Sequence, residues 1–427
     1  MAKVNQLAII KDHFSKEYML VEGVGAYKWN GIYWEKQSPN QFKKEILNKI
    51  EKIVEEKKIT GSLIDSLQKL AELKLTKSSN DLNLNGSSNI VFQNGTFNID
   101  KKVFNENIFF KDDFNTKIMN CNYKQGDLSN WNKYLASTFK DNEDSIELVQ
   151  EMMGYVLYPG CNYEKSFLFY GQGANGKSVM LNVIQNLVGI NNTSYLSMKD
   201  LGKSFVRSAL LDKSLNISSE LRKNVTETED FKKLVSGESI EGQFKYKDSF
   251  FFKNKAKMLF AMNQMAYMND LSNGLFRRIC IIPFINTFNA GNCDPFLLEK
   301  LNNEIDAIAF WSIQGLLRLM ENNKFTKVSY IDKMSQELKN DNNPVLRFAN
   351  DCIEITKDKN DILPKIKLYS LYQDWCYTNG NKPLNSNNFY KQFKLDFDLE
   401  TKKKTVGGKR LNCFTNIKSN VITLETF

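Results

Sequence analysis

The run Gly171–Ser178 (GQGANGKS) constrains this chain more than any other segment. It fits G-x-x-x-x-G-K-[ST], and its flanks are those the motif requires. An apolar, strand-like stretch, Ser166–Tyr170 (SFLFY), precedes it. After it, Val179, Leu181, Val183, Ile184, Leu187 and Val188 recur at helical spacing, and Gly189 offers a C-cap. The spacing therefore predicts a strand, a glycine-rich turn and a helix N-terminus. Such a turn aims backbone N–H groups and the positive end of a helix dipole at a phosphate chain. Gly171, Gly173, Ala174, Asn175, Gly176 and Val179 would form the cradle. Lys177 would reach the β- and γ-phosphates of ATP, and Ser178 would hold Mg²⁺. A glycine turn without a ligand leaves the lysine and the serine unexplained.

The 427 residues are enough for two to three domains, and 42% are hydrophobic, enough for sizeable cores. No apolar run reaches the ~20 residues that span a bilayer, so no membrane association is expected. The first twenty residues carry a charge every few positions, unlike a signal peptide. The seven cysteines, at 121, 161, 280, 293, 352, 376 and 413, form no C-x-x-C pair. That argues for a reducing, cytoplasmic setting and against a disulfide framework or a zinc site. One histidine, His13, excludes His-based triads and His-rich metal centres. The net charge of +9 suits a polyanionic partner, a property shared with ribosomal and membrane-surface proteins.

Residues 1–150 read as an N-terminal α+β module. Asn30-Gly31 and Asn94-Gly95 lie between β-prone flanks, Tyr27–Trp34 and Ile90–Ile99, and predict two hairpins. Gln41–Lys58 places Phe42, Ile46, Ile50, Ile53 and Val54 on one helical face. Ser78–Ser88 is a polar loop. Asn130–Phe139 and Ser145–Tyr158 read as helices, and Trp29, Trp34 and Trp131 as core. Residues 151–335 alternate strand-like and helical runs around the glycine-rich turn, an α/β pattern with a largely parallel sheet.

Within that region, Ser214–Ser219 ends at Glu220. A carboxylate at the end of a strand beside the P-loop strand can hold Mg²⁺ or polarise the attacking water; it can equally be a solvated strand end. The apolar strand Lys257–Ala261 is followed by Asn263, placed as a γ-phosphate sensor or as a strand cap. Arg277 and Arg278 precede the strand Ile279–Pro283. A guanidinium there could reach a neighbouring subunit's nucleotide, or the two form a surface basic pair. Ile240–Phe252 predicts a hairpin turning at Gly242, with Lys245, Tyr246 and Lys247 near its tip, able to contact phosphates and to stack or pack on sugars; taken alone it reads equally as an ordinary basic hairpin.

Residues 344–427 read as a separate C-terminal domain. Lys365–Asn379 is a predicted helix with Leu368, Tyr369, Tyr372 and Trp375 inward. Ser386 is a candidate N-cap for a second helix, Asn387–Leu395. Leu399–Phe414 reads as a hairpin about Gly407-Gly408, with Lys402, Lys403, Lys404, Lys409 and Arg410 and no acid between 401 and 410. Helix, helix and basic hairpin is the pattern of a winged helix-turn-helix, which puts a helix in the DNA major groove and the wing on phosphates.

Tyr155–Leu181, Phe231–Phe252, KMLFAMNQM and GLFRRICIIPF together resemble, in order and spacing over Asn130–Phe288, the superfamily-3 helicases of the satellite-phage and poxvirus primase–helicase type. The resemblance implies an AAA+-like core that assembles as a hexameric homo-oligomer and translocates on DNA with ATP and Mg²⁺. It makes Lys177 and Ser178 Walker A, Glu220 the Walker B acid, Asn263 the sensor, and Arg278 the arginine finger with Arg277 beside it. Lys245 and Lys247 fall on the pore hairpin. Ser219 stands where many members carry a second acid. The upstream region is expected to be too short for the primase domain of many relatives, so a separate primase or host replication proteins become expected partners. The expected activity is that of a replicative helicase and origin-binding initiator of a phage, plasmid or genomic island, acting on single-stranded and duplex DNA. Two alternatives remain: an initiator ATPase that assembles on or melts an origin without unwinding, and a P-loop ATPase acting on protein partners in packaging or defence.

Overall fold

At the centre lies a five-stranded sheet in the order Ile279–Pro283, Ser166–Tyr170, Lys257–Met262, Leu215–Ser218, Thr193–Ser194. Every neighbouring pair is parallel. Strands buried on both faces read as continuous apolar runs, and here Phe167, Leu168 and Phe169 lie beside Leu259, Phe260 and Ala261, all buried. The computed structural model describes residues 5–22, 24–77, 88–218, 224–225, 228–246, 248–263, 267–268, 273–288, 294–356, 358 and 360–420. The order corrects one expectation. The strand leading to Glu220 does not adjoin the P-loop strand, because Lys257–Met262 lies between them.

The N-terminal residues build two smaller sheets. One runs Trp34–Gln37, Gly25–Trp29, Tyr18–Val21, Thr76–Lys77, and the first expected hairpin is its antiparallel pair with Trp29 opposite Trp34. The other joins Asn89–Phe92, Gly95–Asn98 and Val103–Glu106. In its first turn Phe92 pairs with Gly95, so the turn residues are Gln93 and Asn94. Gly95 instead admits a neighbouring strand: a Cβ there would lie 2.4 Å from the carbonyl oxygen of Asn105. Helix Pro39–Ile50 starts from a reciprocal Ser38–Gln41 capping box and buries Phe42, Ile46 and Ile50. It stops before Ile53, which is exposed. A second helix, Gly61–Leu75, buries Leu63, Leu67, Ala71 and Leu75 and was absent from the sequence reading.

Helices Ser129–Phe139 and Glu143–Leu157 form close to their expected bounds. Trp34 and Trp131 are buried, while Trp29 is half-buried. Contacts cross residue 150 repeatedly. The Tyr27 hydroxyl donates to Asp212 Oδ2 at 2.9 Å, and the Asn122 N–H donates to Asp306 Oδ1 at 2.8 Å. Residues 1–266 and 272–331 accordingly make one compact unit; residues 267–271 and 332–427 make the second.

In the second unit, helix Pro344–Cys352 is followed by strand Ile362–Pro364, helices Lys365–Thr378 and Ser386–Phe397, and the hairpin Thr401–Val406 with Lys409–Thr415. Leu368, Tyr372 and Trp375 are buried with Phe389, Phe393 and Phe414, and Tyr369 packs against them. Asn385, not Ser386, caps the helix, its side chain accepting from Asn388 N–H at 2.9 Å. Gly407 and Gly408 take φ of +55° and +74°, as a two-residue hairpin turn of the primed type requires. Among the described residues no cluster of three or more metal-ligating His, Cys, Asp or Glu side chains forms, and no helix is long and apolar enough to cross a membrane.

Candidate nucleotide site and basic surfaces

The glycine-rich turn stands at the C-terminal end of Ser166–Tyr170 and opens helix Lys177–Val188. Gly173 and Gly176 hold φ of +111° and +88°, where glycine is at ease, and Ala174 takes +45°. Gly171 is needed for space: a Cβ would lie 2.0 Å from Asn175 Nδ2 and 2.4 Å from the Phe284 carbonyl oxygen. The buried Asn175 amide braces the loop from inside. It donates to Phe284 O at 3.2 Å and accepts from Lys177 Nζ at 2.9 Å. Lys177 also donates to Gly171 O at 2.5 Å.

The Lys177 ammonium is thus held by neutral acceptors, and among the described residues no carboxylate pairs with it. Burial pushes its pKa down, the sign of a cation short of counter-charge. A phosphate chain fits that deficit, and the open space around Gly173 leaves room for it. Ser178, on the helix's first turn, is exposed, as a Mg²⁺ ligand must be; Val179 is half-buried behind it. Asn263 follows the neighbouring strand directly and is exposed. Gly171 N–H donates to Met262 O at 3.2 Å, so Asn263 adjoins the start of the turn. Glu220 and Ser219 lie outside the described residues, two and one positions past the described end of Leu215–Ser218.

Tyr134 is a site residue that sequence reasoning missed. Its hydroxyl donates to Gly176 O at 2.9 Å, and a Cβ on Gly176 would come 3.2 Å from its ring. The N-cap residue of its helix, Leu128, offers no side-chain cap, and among the helix N–H groups Asp127 accepts only from that of Ser129, at 3.1 Å. Glu304 supplies the cap from far along the chain, accepting from the N–H groups of Asn130 and Trp131, both at 2.9 Å. No local signal in the sequence announces either contact.

The two arginines occupy the opposite end of the sheet. Ile279 pairs with Ser166, so Arg277 and Arg278 lie about 20 Å along the strand from the glycine-rich turn of their own chain. Arg278 is only 7% exposed. Its Nε and Nη2 donate to Ser236 Oγ at 2.9 and 2.7 Å, Nη1 donates to Gly274 O at 2.8 Å, and Nη2 lies 3.2 Å from Glu164. Arg277 has a largely exposed side chain and only a 3.6 Å approach to Glu164. The guanidinium exposed and free to reach outward is therefore that of Arg277, while Arg278 is engaged within its own unit.

The expected hairpin forms from Ser239–Gln243 and Ser249–Lys253. Gly242 does not make its turn. It lies within the strand, where a Cβ would come 3.0 Å from the Phe252 ring, and Tyr246 takes the left-handed turn position with φ of +63°. Tyr246 is 91% exposed, and the Lys245 ammonium lies 5.1 Å from its ring centre. Lys247 lies outside the described residues. On the C-terminal hairpin, Lys402, Lys403, Lys404, Lys409 and Arg410 are all exposed. Glu400, just before the expected acid-free stretch, pairs with Lys402 at 2.9 Å.

Comparison with known proteins places relatives at three segments. Residues 8–140 match a "D5 N terminal like" family, residues 169–278 a family of unknown function (DUF5906), and residues 340–420 a "Poxvirus D5 protein-like" family. Both ends of the chain thus resemble D5 families, each match spanning less than a third of its length. It is 25% identical over 217 residues to "Putative helicase L207/L206" of Acanthamoeba polyphaga mimivirus, covering 47% of this chain and 22% of that protein. It is 25% identical over 279 residues to "Putative helicase 184R" of Invertebrate iridescent virus 6, covering 54% of this chain and 28% of that protein. The chain thus matches under a third of the length of these curated relatives. Among solved structures, two apo structures of the NrS-1 C-terminal region superpose with TM-scores of 0.56 and 0.54, at 10% and 11% identity. Each match covers 97% of this chain and 100% of the other. That likeness is one of fold.

Proposed function

We propose that this protein is an ATP-driven DNA helicase of the superfamily-3, AAA+-like type, working in replication. The observation that carries the reading is the Lys177 ammonium, uncompensated inside a glycine cradle at a helix N-terminus, with Asn263 on the adjoining strand. Lys177 and the backbone N–H groups of the turn hold the phosphates of ATP. Ser178, with Glu220, holds Mg²⁺, which neutralises charge developing on the transferred phosphoryl group. Asn263 orients the terminal phosphate or the attacking water.

Arg277 and Arg278 lie too far from the P-loop of their own chain to serve it, which favours a ring in which one protomer completes its neighbour's site. A hexamer is the form implied by the resemblance. Arg277, exposed, is the better candidate for that trans contact. Lys245, Tyr246 and Lys247 would line the pore and draw a single strand through it. The order helix, strand, helix, helix and basic hairpin in the second unit supports a winged-helix duplex-binding role in choosing the starting site. The names of the two viral relatives agree with this reading. The test is the ATP hydrolysis rate with and without single-stranded DNA, alongside particle imaging. Stimulation by DNA and a closed ring are expected. Hydrolysis indifferent to DNA would favour a P-loop ATPase acting on protein partners.

A further inference from the structure

The far end of the central sheet, away from the P-loop, holds a second concentration of positive charge. Lys255 and Lys257 lie at the start of the strand Lys257–Met262. Ser214 directly precedes the strand Leu215–Ser218. Asn115, Thr116 and Lys117 approach from the N-terminal residues. Between them is a cavity of about 50 Å³ lined by Asn115, Thr116, Lys117, Ser214, Lys255 and Tyr158, among others. A single water needs roughly 10–15 Å³ of such space, so the cavity has room for a few waters or one tetrahedral ion, but not for a nucleoside.

The charges around it do not balance. Asp212 is the carboxylate that acts on Lys255, and its oxygens already accept from Thr116 at 2.6 Å, Tyr27 at 2.9 Å and Lys117 at 3.1 Å, while Asp113 accepts from Asn89 on the cavity wall. Lys257 donates to the carbonyl oxygens of Tyr158 and Lys255 and lies over the Tyr155 ring at 5.1 Å. Lys255 alone has no hydrogen-bond or ion-pair partner among the described residues. The Ser214 hydroxyl, on a residue 9% exposed, and the Asn115 amide also lack partners there. Three unanswered donors, one of them a lysine that an anion can recharge, thus line one small polar cavity.

We propose that this cavity is a binding site for a free tetrahedral oxyanion, inorganic phosphate or sulfate, held by Lys255, Ser214 and Asn115. The bound ion joins residues 115–117 to the starts of the two strands that lead to Asn263 and Glu220. The site is independent of the P-loop and does not rest on the helicase reading.

Its chemistry gives it a signature. Burial, with Lys117 and Lys257 nearby, pushes the Lys255 ammonium down to about 6, against the smaller opposing pull of Asp212 and Cys161. At pH 7 an empty site therefore holds mostly neutral Lys255, and an arriving anion recharges it. Binding takes up close to one proton at pH 7 and almost none at pH 5, and affinity rises as pH falls between 8 and 6.

The experiment is titration calorimetry of the full chain with sulfate, which has no proton to exchange in this range, in two buffers of different ionisation enthalpy at matched ionic strength. The Lys255 and Ser214 variants are made and measured in a Lys177→Ala background, which disables the phosphate-binding turn as a second oxyanion site. The expected result in that background is one saturable site with proton uptake near one at pH 7. Lys255→Met should lose the proton uptake and weaken sulfate at least tenfold, and Ser214→Ala should weaken it severalfold while keeping the uptake. Lys255→Met should fold, because the lysine it replaces is mostly neutral at pH 7. Phosphate should displace sulfate, whereas a 5′-phosphorylated oligonucleotide, too large for the cavity, should not. No saturable binding, undiminished binding in folded Lys255→Met, or displacement by the oligonucleotide would each overturn the proposal.

Discussion

The paired arginines offer a prediction in which stability and activity part company. Arg278→Ala deletes a guanidinium that makes three hydrogen bonds and an ion pair inside its own unit. Hydrogen bonds to charged groups contribute about 1.5–3 kcal/mol each. The acceptors Ser236 and Gly274 are half-buried and can take water in its absence, and Glu164 is partly exposed. The loss is therefore well below the simple sum, about 2–3 kcal/mol in total. In a unit of this size that lowers the Tm by about 5 °C. Arg277→Ala removes an exposed side chain with one loose contact, and its stability cost should stay below about 0.5 kcal/mol. Activity should show the opposite order per folded molecule. Arg277→Ala should abolish hydrolysis in the assembled protein, and mixing it with Lys177→Ala subunits should restore part of it, because some interfaces then pair an intact P-loop with an intact arginine. Thermal unfolding and ATPase measurements on the two variants and their mixtures provide the check. A fully stable but inactive Arg278→Ala, beside an active Arg277→Ala, would refute the reasoning and return the trans role to Arg278.

Further variants test separate parts of the account. Gly171→Ala drives a Cβ into Asn175 and the Phe284 carbonyl, so the turn must open; nucleotide affinity should fall at least ~10-fold in a fluorescent-nucleotide titration, with about 1–3 kcal/mol of stability lost on denaturation. Tyr134→Phe removes the bond to Gly176 and should weaken nucleotide binding by a few-fold, about 0.5–1.5 kcal/mol, while leaving duplex binding alone. Neutralising Lys402, Lys403, Lys404, Lys409 and Arg410 should reduce the slope of log affinity against log salt for duplex DNA by up to about 4, and leave unwinding of an artificial fork nearly intact. Lys245→Ala with Tyr246→Ala should do the reverse, stopping unwinding while sparing duplex binding.

What the sequence disclosed follows from how local each signal is. The strand, glycine-rich turn and helix are legible because they lie within about twenty consecutive residues, and the structure forms them in that order. The turn at Gly407-Gly408 is legible because both positions need positive φ and both carry glycine. The same logic misled at Gly242, where glycine yields space to Phe252 while Tyr246 accepts the left-handed turn. Helix Gly61–Leu75 escaped notice although Leu63, Leu67, Ala71 and Leu75 repeat every fourth residue, a narrow stripe within an otherwise polar run. Long-range features had no sequence signal at all. Neither the order of strands in the parallel sheet, nor the support of Gly176 by Tyr134, nor the hold of Ser236 and Glu164 on Arg278 can be read from neighbouring residues. The first of these is where the expected position of the strand leading to Glu220 had to change.

The most direct test of the central claim is strand displacement on a forked DNA duplex, with ATP and Mg²⁺, by the wild-type protein and by Lys177→Ala. The wild-type protein should separate the strands only when ATP is hydrolysed, and Lys177→Ala should remain folded and separate none. ATP hydrolysis by the wild-type protein without any strand displacement, or equal displacement by Lys177→Ala, would contradict it.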